Sequence, residues 1–351
     1  MPRSALAGGA RDGAAVEVDG WSVAAAYDDP AREYAALRES AALVDWAFRA
    51  RLVATGGDRV DFLQGMLSND VRALTPGAGC AALLLTEQGK VVADCVVLAR
   101  ADAIVLDARA GAIEGARKAL ERYIVADDVE LAADDATHAC ALLGPHADEA
   151  LARAGTAPPP ATPYAHEVRA TAFGDVRVVR LPAPGEGGVL CLVPRAQVAA
   201  WWAACAAAGI ATAGFTAFDA LRIESGVPAY GVDVGPDTIA LEAPYAAAIS
   251  FGKGCYLGQE VVERVTARGH VNRKLVPLVV EAHDARNVPH PGDAIVAGDK
   301  EIGRVTSATW SWRAGRPVAL AYVRREHFAP GTAVGVRTAA GTLTAVVQAH
   351  E

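Results

Sequence analysis

From Arg273 onward the chain reads as short apolar runs at regular intervals, and this restricts its fold more than any other feature. Runs at 275–280, 294–296, 302–309, 318–323, 333–336 and 343–347 alternate with turn sequences such as Pro291-Gly292-Asp293 and Pro330-Gly331-Thr332. Regularly spaced short strands predict a small β-barrel. Upstream the pattern is mixed. Helical spacing at 30–38, 111–123, 195–209 and 216–224 is interleaved with strand-like runs at 80–85, 91–98, 139–143, 176–181 and 189–193. Periodicity therefore gives an α+β region followed by an all-β region. Asp58 is the expected N-cap of a helix beginning near residue 58. The stretch 156–163, with four prolines in eight residues, reads as a linker. Residues 1–20, Gly/Ala-rich with scattered charge, read as a flexible tail.

A length of 351 residues suggests two or three units, each able to bury a core. With 52% hydrophobic and 21% charged residues, the composition is that of a globular chain rather than a disordered one. A net charge of −8 argues against a general nucleic-acid surface; Arg264, Arg268, Arg273 and Lys274 read first as a solvated helix end, with a local basic patch as the alternative. No direct nucleic-acid partner is expected. No apolar run is long enough to span a bilayer, and the first residues lack the basic-then-apolar pattern of a signal peptide. The six cysteines (Cys80, Cys95, Cys140, Cys191, Cys205, Cys255) show no Cys-x-x-Cys spacing. That suits a reducing cytoplasm and argues against a disulfide framework or structural zinc. The histidines are scattered, so no metal site is expected, and neither nucleotide-binding glycine motif is present.

The octet Lys253-Gly254-Cys255-Tyr256-Leu257-Gly258-Gln259-Glu260 carries the most pointed chemistry. Gly254 and Gly258 permit backbone angles that a Cβ forbids. The residues after Gly258 read as a short helix ending at Gly269. Cys255 thus lies just ahead of a helix N-terminus and next but one to Lys253, and both features favour a thiolate. His270 is the sequence-near candidate base for a Cys-His hydrolase, but it follows Cys255 by most of a helix.

The octet resembles the signature of the YgfZ family. These are folate-binding proteins that help mature iron–sulfur enzymes and are related to the T-protein (aminomethyltransferase) of the glycine cleavage system. Family-like stretches accompany it in order: Leu43-Val44-Asp45-Trp46, Phe62-Leu63-Gln64-Gly65, Asn69-Asp70-Val71, Leu221 to Pro228, and Gly303 to Ser307. The resemblance implies an α+β, T-protein-like multi-domain folate-binding fold. Two α+β subdomains would occupy 21–272, with the linker near 156–163, followed by a small C-terminal β-barrel at 273–351. It implies tetrahydrofolate, or a folate derivative, as cofactor. Iron–sulfur client enzymes or cluster carriers would be the partners, tRNA-modifying enzymes among them in some relatives. Cys255 would be the working thiol and Lys253 its activator. Trp46 and Phe218 fall where the family sets folate-contacting aromatics. Arg222 suits a folate carboxylate and Glu224 the pterin's amine edge.

Two positions depart from the T-protein. Its first active-site aspartate aligns with Ala93, and its pterin-anchoring glutamate with Leu190. Alanine neither accepts a proton nor stabilises a charged iminium, so aminomethyl transfer is disfavoured. A folate-dependent aminomethyl- or methyltransferase is the alternative, and a non-catalytic scaffold the third reading.

Overall fold

The computed structural model describes residues 2–350. Met1, Glu351 and the side chain of Arg268, one of the four basic residues grouped above, lie outside the described part. The chain divides into two compact units. The first comprises 1–84, 92–218 and 248–257, and the second 85–91, 219–247 and 258–351.

In the first unit, the residues read as a flexible tail carry structure. Leu6 and Ala7 are buried, and β1 (Ala15–Val18) pairs antiparallel with β2 (Trp21–Ala24). Asp19 (φ 48°) and Gly20 (φ 79°) form the two-residue turn between them, both in the left-handed region that a tight hairpin demands. Helix α1 (Pro30–Glu39) starts on Asp29, whose side chain accepts from the Ala31 amide, with proline at the first turn. Strands β3 (Ala42–Asp45) and β4 (Arg49–Thr55) precede α2 (Arg59–Met66). Asp58 does not cap α2 as expected; its carboxylate accepts from the Asp128 amide instead, at 2.8 Å.

Strands β5 (Gly79–Leu85), β6 (Val91–Ala99) and β7 (Ile104–Arg109) follow, then α3 (Ala110–Glu121) and β8 (Glu130–Ala133). With β4 they make a five-stranded sheet in the order β5-β6-β7-β4-β8. Beyond it come β9 (Thr137–Leu143) and α4 (Ala147–Arg153). After the proline-rich stretch lie β10 (His166–Thr171), β11 (Gly174–Leu181), β12 (Gly188–Pro194), α5 (Val198–Ala207), β13 (Ala211–Ala213) and α6 (Phe215–Glu224). The second sheet runs β10-β11-β12-β9-β3-β13, so strands from before and after the proline-rich stretch share one sheet. Leu43, Leu142, Val178 and Trp201 are fully buried beneath it. The stretch itself is pinned: Arg169 donates to the carbonyls of Ala157 and Pro158, and Arg180 to those of Pro159 and Pro160. Prolines lack N–H donors, but their carbonyls still need partners.

The second unit holds α7 (Gln259–Arg268) and six strands: β14 (Arg273–Val280), β15 (Ala294–Ala297), β16 (Lys300–Ser311), β17 (Arg316–Arg324), β18 (Ala333–Thr338) and β19 (Gly341–Val347). They close as β14-β17-β16-β15-β18-β19, with β14 pairing back to β19. Alternation sends Val276, Leu278 and Val280 inward to meet Ile295, Val305, Val336 and Val347. Closure leaves no unpaired sheet edge. The T-protein-like arrangement expected from the sequence, α+β followed by a barrel, is the fold observed.

Candidate active site

Residues 253–257 of the octet are built onto the C-terminal end of α2. A helix leaves its last carbonyls without intrahelical partners. Here the segment 250–257 supplies the donors. The Lys253 ammonium donates to the carbonyls of Gln64 (2.6 Å), Leu67 and Asn69 (2.9 Å). The Leu257 amide bonds the Gly65 carbonyl at 3.0 Å and the Ser250 amide the Ser68 carbonyl at 2.9 Å. Ser68 Oγ donates to the Ala248 carbonyl at 2.6 Å. Gln64 closes the arrangement: its Nε2 donates to Asp70 (3.0 Å) and to the Lys253 carbonyl (3.3 Å), while its Oε1 accepts from the Val71 and Arg72 amides. The sequence stretches 62–65, 69–71 and 253–257 therefore meet in one structure. Gln64 and Asn69 as receptors of the lysine were not foreseen, although both stood inside stretches the sequence had singled out.

An ammonium has three donors, and three carbonyls take them. Burial pulls the Lys253 pKa down to about 8, so it stays mostly charged at neutral pH. Its ammonium also lies 5.2 Å from the Tyr256 ring centroid. The structure thus gives Lys253 a holding role in the loop.

On this pinned loop Cys255 is exposed, whereas Cys95, Cys140, Cys191 and Cys205 are buried and Cys80 is partly so. Burial pushes the Cys80 and Cys205 thiols up to about 12 and also raises those of Cys95, Cys140 and Cys191 above their ordinary value. Both octet glycines have left-handed backbones, Gly254 at φ 90° and Gly258 at φ 83°. Gly258 is also sterically fixed, because a Cβ there would lie 2.4 Å from the Thr86 carbonyl oxygen. His270 is exposed, between α7 and β14 in sequence.

The remaining predicted positions fall into two groups. Trp46 and Phe218 are buried and meet edge to face, their centroids 5.6 Å apart, in a cluster with Phe48 and Phe215. The Arg49 guanidinium lies 5.4 Å from the Trp46 ring. Two buried polar atoms here, Trp46 Nε1 and Asp45 Oδ2, find no hydrogen-bond partner among the described residues. Arg222 is buried in the second unit. It donates to Asp219 (2.6 Å), Asp233 (2.6 Å), the Val227 carbonyl (3.1 Å) and Ser307 (3.0 Å). A guanidinium has five N–H donors, and four of them have acceptors among the described residues. Glu224 sits at the end of α6, half-buried. Ala93 and Leu190 are fully buried on β6 and β12. Among the described residues no group of His, Cys, Asp and Glu is arranged to hold a metal ion, and no helix is long and apolar enough to cross a membrane.

The GCVT N-terminal domain family matches residues 8–253, and the glycine cleavage T-protein C-terminal barrel domain family matches residues 273–350. An aminomethyltransferase of Streptomyces coelicolor is 32% identical over 331 residues, covering 90% of this chain and 87% of that protein. One of Symbiobacterium thermophilum is 32% identical over 337 residues, covering 92% and 88%. The crystal structure of the glycine cleavage system aminomethyltransferase T of Bartonella henselae shares the fold, with a TM-score of 0.87 at 23% identity over 97% of this chain and 93% of that one.

Proposed function

Because this chain belongs to the glycine cleavage T-protein family, we propose that it is a cytoplasmic, tetrahydrofolate-binding member of the YgfZ kind. In this reading it assists assembly or repair of iron–sulfur clusters in client enzymes instead of transferring an aminomethyl group. Residues 21–272 would form the folate-binding region and 273–351 the accessory barrel. The T-protein family uses tetrahydrofolate. The observation that carries the reading is Ala93. Where the resemblance expects an aspartate that takes part in methylene transfer, this chain has a fully buried methyl group. What it offers instead is an exposed thiol, Cys255, on a loop fixed by backbone bonds. A thiol so presented suits transient ligation of an exchanging cluster without a permanent site.

Several of the chain's own atoms support the folate reading. Trp46 and Phe218 supply aromatic edges. Trp46 Nε1–H and Asp45 Oδ2 supply one buried donor and one buried acceptor lacking partners, and a pterin has both complements. Arg222 and Glu224 are the polar contacts that the resemblance implies. Bound tetrahydrofolate supplies one-carbon carrier chemistry; the protein's part is to bind and orient it. The second reading, aminomethyl transfer, is favoured by the names of relatives 32% identical over nearly their whole length.

The purified protein and its Cys255→Ser variant distinguish the two. Tetrahydrofolate should raise the melting temperature of both, since a ligand that binds only the native state stabilises it. Only the wild type should sustain the activity of an iron–sulfur client. Robust transfer from an aminomethylated lipoyl carrier by either protein would overturn the reading in favour of the transferase.

A further inference from the structure

The basic residues near 264–274 acquire company from the distant end of β17. Arg273 on β14 stands directly opposite Arg324 on β17 in the antiparallel register, and Arg304 on β16 stands opposite Tyr322. Like charges directly across a ladder are destabilising, so this pairing needs a compensating partner. Arg273 has one: its guanidinium bonds Glu242 at 3.1 and 3.0 Å and stacks 4.4 Å from the Tyr322 centroid. Arg304 pairs with Glu301 at 3.0 Å. Arg324 and Arg325 are both exposed. No carboxylate pairs with either among the described residues.

Arg273, Arg324 and Arg325 line one cavity of about 550 Å³ in the barrel unit. Arg273 and Arg324 also line a second, of about 270 Å³, with Arg304. Glu326 is the one carboxylate of the larger cavity that Arg273 does not neutralise. Two guanidinium groups with no carboxylate paired to them among the described residues, beside a third held by Glu242, make a donor set suited to oxyanions with several charges. The chain as a whole is acidic, at −8, so general attraction of anions does not account for the cluster.

We propose that this cleft binds a small, multiply charged oxyanion, a phosphate ester or a polycarboxylate, with Arg324 and Arg325 as its free donors. The proposal is independent of the folate reading. Titration calorimetry on the intact protein at low ionic strength tests it, with inorganic pyrophosphate and tricarballylate as the two probes. Saturable one-to-one binding of at least one probe is expected, weakening at least about tenfold when Arg324→Ala and Arg325→Ala are combined. Arg264→Ala, an exposed α7 residue outside both cavities, should leave it unchanged. Pyrophosphate binding alone assigns a phosphate ester, tricarballylate alone a polycarboxylate, and comparable binding of both a site that reads charge. The single Arg324→Gln variant gives a milder loss that can be read if the double variant melts early. Absence of binding by both probes, or equal affinity in wild type and arginine variants, would overturn the proposal.

Discussion

Replacing Lys253 by methionine separates its two conceivable roles, holding the loop and activating the thiol. Methionine keeps the length and apolar stem of the side chain and removes the ammonium, leaving the carbonyls of Gln64, Leu67 and Asn69 without their donor. A hydrogen bond from a charged donor is worth about 1.5–3 kcal/mol. Three such bonds do not add in full, because the lysine is only half-buried and water can reach part of the vacated space. A net loss of about 3 kcal/mol follows, at the upper end for a single substitution. The loss should be local before it is global. The Ser250 and Leu257 amides, bonded to the Ser68 and Gly65 carbonyls on either side of the lysine, should exchange with solvent roughly a hundredfold faster, at about 1.4 kcal/mol per decade. Hydrogen exchange read peptide by peptide, alongside the melting temperature, is the assay. Alkylation of Cys255 by iodoacetamide, measured in the same samples, should not slow. If exchange and melting are unchanged while alkylation slows severalfold, the lysine serves the thiol and the holding role is wrong.

Three further outcomes follow from the same geometry. At pH 8, thiols pushed up to about 12 by burial, as at Cys80 and Cys205, hold roughly one ten-thousandth thiolate. Exposed Cys255 should therefore be labelled at least about a hundredfold faster than the other five, as mass spectrometry of partly alkylated protein would reveal; first labelling at Cys80 would contradict this. Ala93→Asp sets a carboxylate in a fully buried position and should cost about 3 kcal/mol or more without creating aminomethyl transfer. A variant that keeps its melting temperature and gains transfer would mark position 93 as part of a competent transferase site. Burial, and secondly Arg177, lower the His166 pKa to about 4. Between pH 6.5 and 4 the unfolded chain thus takes up a proton that the folded one refuses, and stability falls as pH drops through this window by up to about 3 kcal/mol. His166→Gln should flatten that acid limb in urea unfolding at pH 7 and 4.5, and equal losses in both proteins would refute the attribution.

The sequence by itself determined the parts that rest on local rules. The barrel was legible because a strand's side chains alternate faces, so short apolar runs between Pro-Gly turns leave few other ways to bury Val276, Ile295 and Val336 together. The left-handed turns at Gly254 and Gly258 were legible because glycine alone enters that region freely. The hairpin at Asp19-Gly20 was equally local, and its dipeptide was a readable signal that the Gly/Ala-rich composition around it concealed. Tertiary structure alone decided where charges and polar groups find partners. Lys253 stands two positions from Cys255 in sequence, yet its ammonium goes to carbonyls more than 180 residues away. Arg222 is committed to Asp233 and Ser307. Arg273 meets Arg324 only because β14 and β17 are neighbours in the closed barrel. The physical reason is that burial makes every donor and acceptor seek a partner, and the nearest one in space is set by how strands and helices pack, which no periodicity records.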